Sequence, residues 1–462
     1  MKQISILIVA CICILACQQK PQQQVATEME HYDLTQMKDS GVLVALTLNS
    51  SISYFDYRGE SMGFQYELAK QFAQSLGLKL ELKIAKSTKD LVDMLLAGEG
   101  DLIAYPLPNT KEFKDTLKFC GEDIITHQVL VQRNGNKNQK AIANVTELIG
   151  KNVYAKPGKY LDRLNNLNKE LGGGILIHEV ANDSISIEDL IMQVSTGTID
   201  YTLCDNDLAR LNKTYYTNLD IHLPVSFDQR ASWAVRKTAP LLAEAANQWH
   251  KDNQTSPAYK ASTKRYFENS KRLPHGPILS IKDGKISHFD HLFKKYAPEI
   301  GWDWRIIASL AYNESNFDTT AVSWVGAKGL MQLMPRTAKA MGIPEGKEQD
   351  PEESVKAATK YLSQLGRSFS KITDPNEKMK FILASYNAGI GHIFDAMALA
   401  EKYGKNKYVW DNNVETFILL KSSEEYFNDP VCKNGYFRGR ETYNFVKDIL
   451  GRAEMYKQKI KD

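Results

Sequence analysis

The 462-residue sequence predicts an α/β domain of two similar lobes followed by a mostly helical domain. Three observations carry this prediction. Between Gly41 and Leu273, short β-type runs alternate with amphipathic helical runs, the pattern of α/β units. Inside that stretch, DLVDMLLAGEGDLIAY at 90–105 matches DLIMQVSTGTIDYTLC at 189–204, with Asp90, Leu91, Gly98 and Asp101 aligned to Asp189, Leu190, Gly197 and Asp200 at one offset. Each copy reads as helix, glycine turn and short strand, one per lobe. From Ile286 onward helical spacing takes over and strand signals nearly vanish.

The chain opens with Met1-Lys2 and an apolar run from Ile4 to Ala16, too short to span a bilayer and suited to a signal peptide. The run ends Ile14-Leu15-Ala16-Cys17 and resembles a bacterial lipobox, which implies a lipoprotein signal over 1–17 with Cys17 becoming the lipidated N-terminus after cleavage; a plain secretory signal or an uncleaved anchor is the alternative. Residues 18–40 are polar without a clear period and read as a tether. No later stretch is long and apolar enough to cross a membrane. Of six cysteines, Cys120, Cys204 and Cys432 remain for the mature protein. Their spacing fits no metal site, and Cys120 and Cys204 either pair or stay as buried thiols. A net charge of +3 on a chain 43% apolar and 24% charged gives no basis for nucleic-acid binding.

In the α/β domain, 41–273, the spacing predicts a strand at Val42–Leu48, a helix through Leu68, Phe72 and Leu76 ending at Gly77, and a strand at Leu78–Ile84. A helix capped by Ser87 and a strand at Leu102–Tyr105 follow. The lines MGFQYELAKQFAQSLGLKLEL, LLAGEGDLIAYPLPNTKEF, GTIDYTLCDNDLA and ASWAVRK resemble the type 3 solute-binding domains of the amino-acid-binding family. The resemblance implies a periplasmic-binding-protein-like fold with a ligand between two lobes. Where the family carries T-x-x-R, with the Arg clamping a carboxylate, this chain has Thr110-Lys111-Glu112-Phe113. The amine-binding Asp is matched by Asp205. Loss of half the clamp argues against a free amino acid and leaves Phe113 and Asp205 as candidate contacts for a muropeptide or peptide. Residues 274–285, rich in Pro and Gly, read as a linker.

In the helical domain, 286–455, helices are predicted at Phe289–Tyr296, Trp304–Asn313, Arg336–Met341, Ser354–Leu365, Glu377–Asn387 and Glu441–Met455. Ile306, Ile307, Leu310 and Ala311 mark one buried face, and Glu314 continues that stripe. A carboxyl there is desolvated and inclined to hold its proton, as a glycosidase acid must. Periodicity alone also permits a solvated Glu at a fraying helix end.

The surrounding text decides between them. NESNFDTTAVSWVGAKGLMQLMPRTA at 313–338 resembles the signature of the soluble-lytic-transglycosylase family, and Tyr386-Asn387-Ala388-Gly389 matches its second block. The resemblance implies a lysozyme-like fold with Glu314 as catalytic acid/base. It also implies substrate contacts from Ser315, from Met331 and Gln332 in a turn whose glycines admit the sugar closely, and from Tyr386 and Asn387 opposite. Hydrolytic glycosidases need two carboxylates. No second acid lies in Met331–Pro335 or in Tyr386–Gly389, and Asp318 sits where a turn is expected, so a single Glu suits the lytic route, with no metal or other cofactor. In the block Glu441-Thr442-Tyr443-Asn444-Phe445-Val446, Phe445 replaces the family's Tyr. The implied partners are peptidoglycan glycan strands and, through a lipid anchor, the outer membrane, with the domains on its periplasmic face in the cell envelope. The alternative is a muropeptide-binding sensor whose lytic domain is inactive.

Overall fold

The computed structural model describes residues 32–135, 140–183, 185–269 and 284–460. Cys17 and most of the expected tether and linker lie outside them. The chain divides into two compact units. The first takes the chain up to Thr47 with Ala69–Ile124 and Arg230–Gln254, and the second takes Leu48–Leu68, Ile125–Gln229 and the chain from Thr255 onward.

The first unit is built on a five-stranded sheet in the order 79–85, 42–48, 102–108, 229–236 and 117–126. Strand 42–48 runs parallel to 102–108, with Ala45 opposite Leu102, and 229–236 runs antiparallel to 102–108. The expected strands form, and the helix Thr88–Leu96 starts on Ser87, whose side chain accepts from the Asp90 N–H at 3.1 Å. Leu43, Leu46, Leu91, Leu95 and Ile103 fill the core. Arg236 is buried beside Asp101 and donates to the Leu95 and Gly100 carbonyls. The tether expected over 18–40 is corrected at its end: Leu34–Ser40 is a helix with an Asp33/Gln36 capping box and a buried Met37. The Asp33 carboxylate also accepts from the Leu241 and Leu242 N–H groups, capping the helix Pro240–Asn253. One carboxylate serving two helix starts orders a segment whose polar composition carries no period.

The second unit holds the other sheet, in the order 219–220, 128–133, 201–205, 152–155 and 176–179. The internal repeat holds in both units. Each copy is a helix (88–96, 187–196), a left-handed glycine (Gly98, φ +76°; Gly197, φ +82°) and a strand (102–108, 201–205). Cys120, Cys204 and Cys432 are free thiols, the first two buried.

The same unit contains the helical region, with the predicted helices at 290–296, 304–315, 335–341, 351–368, 375–388 and 439–459. Helix Ile390–Lys402, unforeseen, follows Gly389 directly. The core packs Ile307, Leu310, Leu330, Phe381, Leu383, Ile393, Trp410 and Ile449. A separate two-stranded hairpin, Phe55–Tyr57 with Glu60–Met62, turns through Arg58 (φ +53°) and Gly59 (φ +77°). Two successive positive-φ residues match the twist of a two-residue hairpin loop and put the Arg58 side chain at the tip. Among the described residues, no helix is long and apolar enough to cross a membrane.

Candidate active site

Helix Trp304–Ser315 begins at Asp303, whose side chain accepts from the Arg305 N–H, and ends at Asn316 in the left-handed conformation. Glu314 lies in its last turn and is 6% exposed. Burial pushes its carboxyl above the ordinary value, while the adjacent Arg58 guanidinium pulls it down. The negative end of the helix dipole also disfavours the charged form there.

The hairpin occupies the space before this carboxyl. Arg58 Nη2 donates to both Glu314 oxygens, at 2.9 and 3.1 Å. Its Nη1 donates to the Gln332 carbonyl at 2.9 Å and its Nε to the Asn387 carbonyl at 3.1 Å. The Arg58 N–H donates to the Ala388 carbonyl at 3.3 Å. Gly389 makes this seat possible: its φ is +90°, and a Cβ there would stand 3.2 Å from Arg58 Cα. The neighbouring Tyr57 ring packs against Trp324. A guanidinium so placed favours the carboxylate form of Glu314 and works against the raising effect of burial that a general acid needs.

The expected cleft residues come together around Glu314, several with their polar groups bonded within the protein. The Ser315 hydroxyl is buried and donates to the Ala311 and Leu330 carbonyls, at 3.2 and 2.8 Å. The Tyr386 hydroxyl donates to the Met331 carbonyl at 2.7 Å, and Ser354 Oγ accepts from the Met331 N–H at 3.1 Å. Both side chains therefore brace the 329–332 turn. Met331 itself is wholly buried in the core. Gln332 takes a left-handed conformation (φ +48°), and its side-chain N–H groups go to the Ala321 and Gly329 carbonyls. The turn glycine faces protein: a Cβ on Gly329 would lie 2.5 Å from the Glu348 carbonyl oxygen. Asp318 is exposed and accepts from the Thr320 N–H and hydroxyl, the turn role expected of it.

Three contributors were missed. Arg58 lies in YFDYRGESM, where Arg-Gly between two β-type runs is a hairpin signal. Glu441 is a second carboxylate that lines a cavity with Asn387, Tyr57 and Trp324. Thr442 donates to Asn387 Oδ1 at 2.6 Å. Both stand in the block read only for Phe445, whose ring packs partly buried on the core.

His392 supports the hairpin from behind. Its ring stacks on Phe437, and Nε2–H donates to the Asp56 carbonyl at 3.0 Å. Burial, reinforced by Lys421, pushes its pKa down to about 3. The native state holds His392 neutral, whereas the unfolded chain protonates it below about 6.5. Stability from this group is therefore full above that value and lost progressively as pH falls toward about 3, by about 2 kcal/mol at pH 5. Denaturant unfolding at pH 7 and pH 5 should show a smaller difference in His392→Gln than in the parent protein.

In the second unit's sheet domain, Asp205 is already engaged by Lys159 and by the Tyr160 hydroxyl. A cleft of about 410 Å³ nearby is lined by Lys156, Lys159, Tyr160, Asp183, Glu188 and Tyr436. The Tyr436 hydroxyl donates to Glu188 at 2.6 Å, and Arg438 and Arg440 pair with Glu188 and Asp189. Phe113, in the other unit, is half-buried on the short helix Lys111–Thr116.

A helical domain with a buried Glu at a helix end, joined to two-lobed α/β architecture, defines a class. Residues 291–409 match the transglycosylase SLT domain, and 43–269 match the bacterial extracellular solute-binding proteins of family 3. The protein is thus a lytic transglycosylase acting on peptidoglycan, with a solute-binding-like N-terminal domain. The membrane-bound lytic murein transglycosylase F of Desulfosudis oleivorans is 32% identical over 92% of this chain and 92% of its own. Its namesake from Pseudomonas fluorescens strain Pf0-1 is 29% identical over 90% of this chain and 85% of its own. The chain belongs to the membrane-bound lytic murein transglycosylase F family, which places it in the cell envelope.

Proposed function

We propose that Glu314 is the sole acid/base of a non-hydrolytic cleavage between N-acetylmuramic acid and N-acetylglucosamine. The observation that carries this reading is a buried carboxyl at a helix end, with its pKa raised by burial, framed by the braced 329–332 turn and by Asn387. Protonated Glu314 gives its proton to the bridging oxygen, and the C1–O bond breaks with departure of the N-acetylglucosamine 4-hydroxyl. The resulting carboxylate takes the proton of the muramyl 6-hydroxyl as its oxygen bonds to C1. The product is a 1,6-anhydromuramyl end, and Glu314 is protonated again. Mass spectrometry of sugars released from purified peptidoglycan by the protein lacking residues 1–17 tests this. Anhydro ends, lighter by one water than reducing ends, are expected; reducing ends would mean hydrolysis, with Glu441 the first carboxylate to suspect.

The described conformation is a resting one in this reading, because Arg58 fills the site and opposes the effect of burial on the acid. The solute-binding-like domain then regulates: a muropeptide or peptide in its cleft favours departure of the hairpin. The tyrosines, lysines and carboxylates around the 410 Å³ cleft suit a zwitterionic peptide. Titration of the protein lacking residues 1–17 with muropeptides should raise turnover; no binding at millimolar concentration removes this part of the proposal. Lipid on Cys17 would hold the protein at the outer membrane, facing the periplasm. Replacing Cys17 with Ser should release it into the soluble periplasmic fraction.

A further inference from the structure

We infer that Thr442 is a positioning residue for the lytic reaction, fixing the face that the Asn387 carboxamide turns to the substrate. Thr442 is fully buried, three residues into helix 439–459. Helical threonines commonly return their hydroxyl to the carbonyl four residues back, as Thr263 and Thr359 do here. The Thr442 hydroxyl instead reaches across to Asn387, 55 residues away in sequence. Its 2.6 Å separation lies in the range of an O–H···O bond and is short for N–H···O, which assigns the atom facing Thr442 as Oδ1. The carboxamide NH₂ is then the group left to face the cleft. Asn387 stands where this matters, since its backbone carbonyl and the Glu314 carboxylate grip the same Arg58 guanidinium. A substrate that replaces Arg58 meets the freed backbone carbonyl there and, in the cavity that Asn387 lines beside Tyr57 and Trp324, a fixed N–H donor suited to a sugar oxygen or an acetamido carbonyl. Without the Thr442 hydroxyl the amide is free to turn its oxygen outward and present the wrong polarity.

This rests on the assignment of the cleft above, so the test includes Glu314→Gln in the protein lacking residues 1–17. If that variant keeps full activity, the assignment of the site fails, whatever Thr442 does. With Glu314 dependence established, Thr442→Val should lower kcat by about three- to tenfold, the worth of one oriented hydrogen bond. Thr442→Ser should restore it, and the pH dependence of kcat should keep its shape. In an Asn387→Ala background, Thr442→Val should cost nothing further, because its effect passes through Asn387. Losses that multiply, a Ser variant as poor as Val, or a fall in melting temperature with kcat unchanged would each overturn the proposal.

Discussion

Glu314→Gln is expected to lower the release of anhydromuramyl sugars by about 100- to 10,000-fold, the range for removing a general acid/base. The same substitution should strengthen glycan binding. Arg58 is buried and its charge is answered by the Glu314 carboxylate. A neutral Gln leaves that guanidinium desolvated without its counter-charge, which destabilises the hairpin-in arrangement by several kcal/mol in comparable buried pairs. The cleft should open just as its chemistry is removed. Sedimentation of the variant with insoluble peptidoglycan, alongside product analysis, separates the two effects. Loss of both binding and turnover would place Glu314 in a structural role.

Arg58→Ala should do the opposite and raise turnover without any ligand for the solute-binding-like domain. Two hydrogen bonds to a carboxylate, two more to carbonyls and the ion pair are removed, while every group around Glu314 stays in place. Charged hydrogen bonds are worth about 1.5–3 kcal/mol each, so losing even one shifts a closed-to-open equilibrium by roughly 10- to 100-fold. Glu314 also loses the influence that lowers its pKa, so the acid limb of activity should extend to higher pH. Initial rates on purified peptidoglycan from pH 4 to 8 check both statements. An Arg58→Ala protein no faster than its parent would show that the hairpin does not limit the reaction. Arg58→Lys should fall between, because a point charge cannot reproduce the fork that spans Glu314, Gln332 and Asn387.

The sequence revealed what depends on local pattern. Helix 304–315 was legible because its apolar stripe and the motif beginning at Glu314-Ser315 agree, and the two lobes were legible through the repeated helix–glycine–strand unit. What it could not carry was the use of polar groups across distance. The motif names Ser315 and Tyr386, but it does not show that their hydroxyls bond carbonyls that only the folded turn brings near. Arg58 precedes Glu314 by 256 residues, and nothing local to either announces the pairing. The helix at 34–40 was missed for a related reason: its stability comes from a shared cap on Asp33 rather than from an amphipathic period.

The guanidinium on Glu314 also has a pharmacological meaning. In the proposed reaction, positive charge gathers at the sugar carbon facing this carboxylate as the glycosidic bond breaks. Arg58 already presents a planar, delocalised cation to the same two oxygens, from a loop of two residues. On that proposal the hairpin is a built-in mimic of the transition state's charge. A small cyclic peptide holding Tyr-Arg-Gly in that turn, or a sugar-like ring bearing an amidine, starts from an inhibitor geometry the protein already contains.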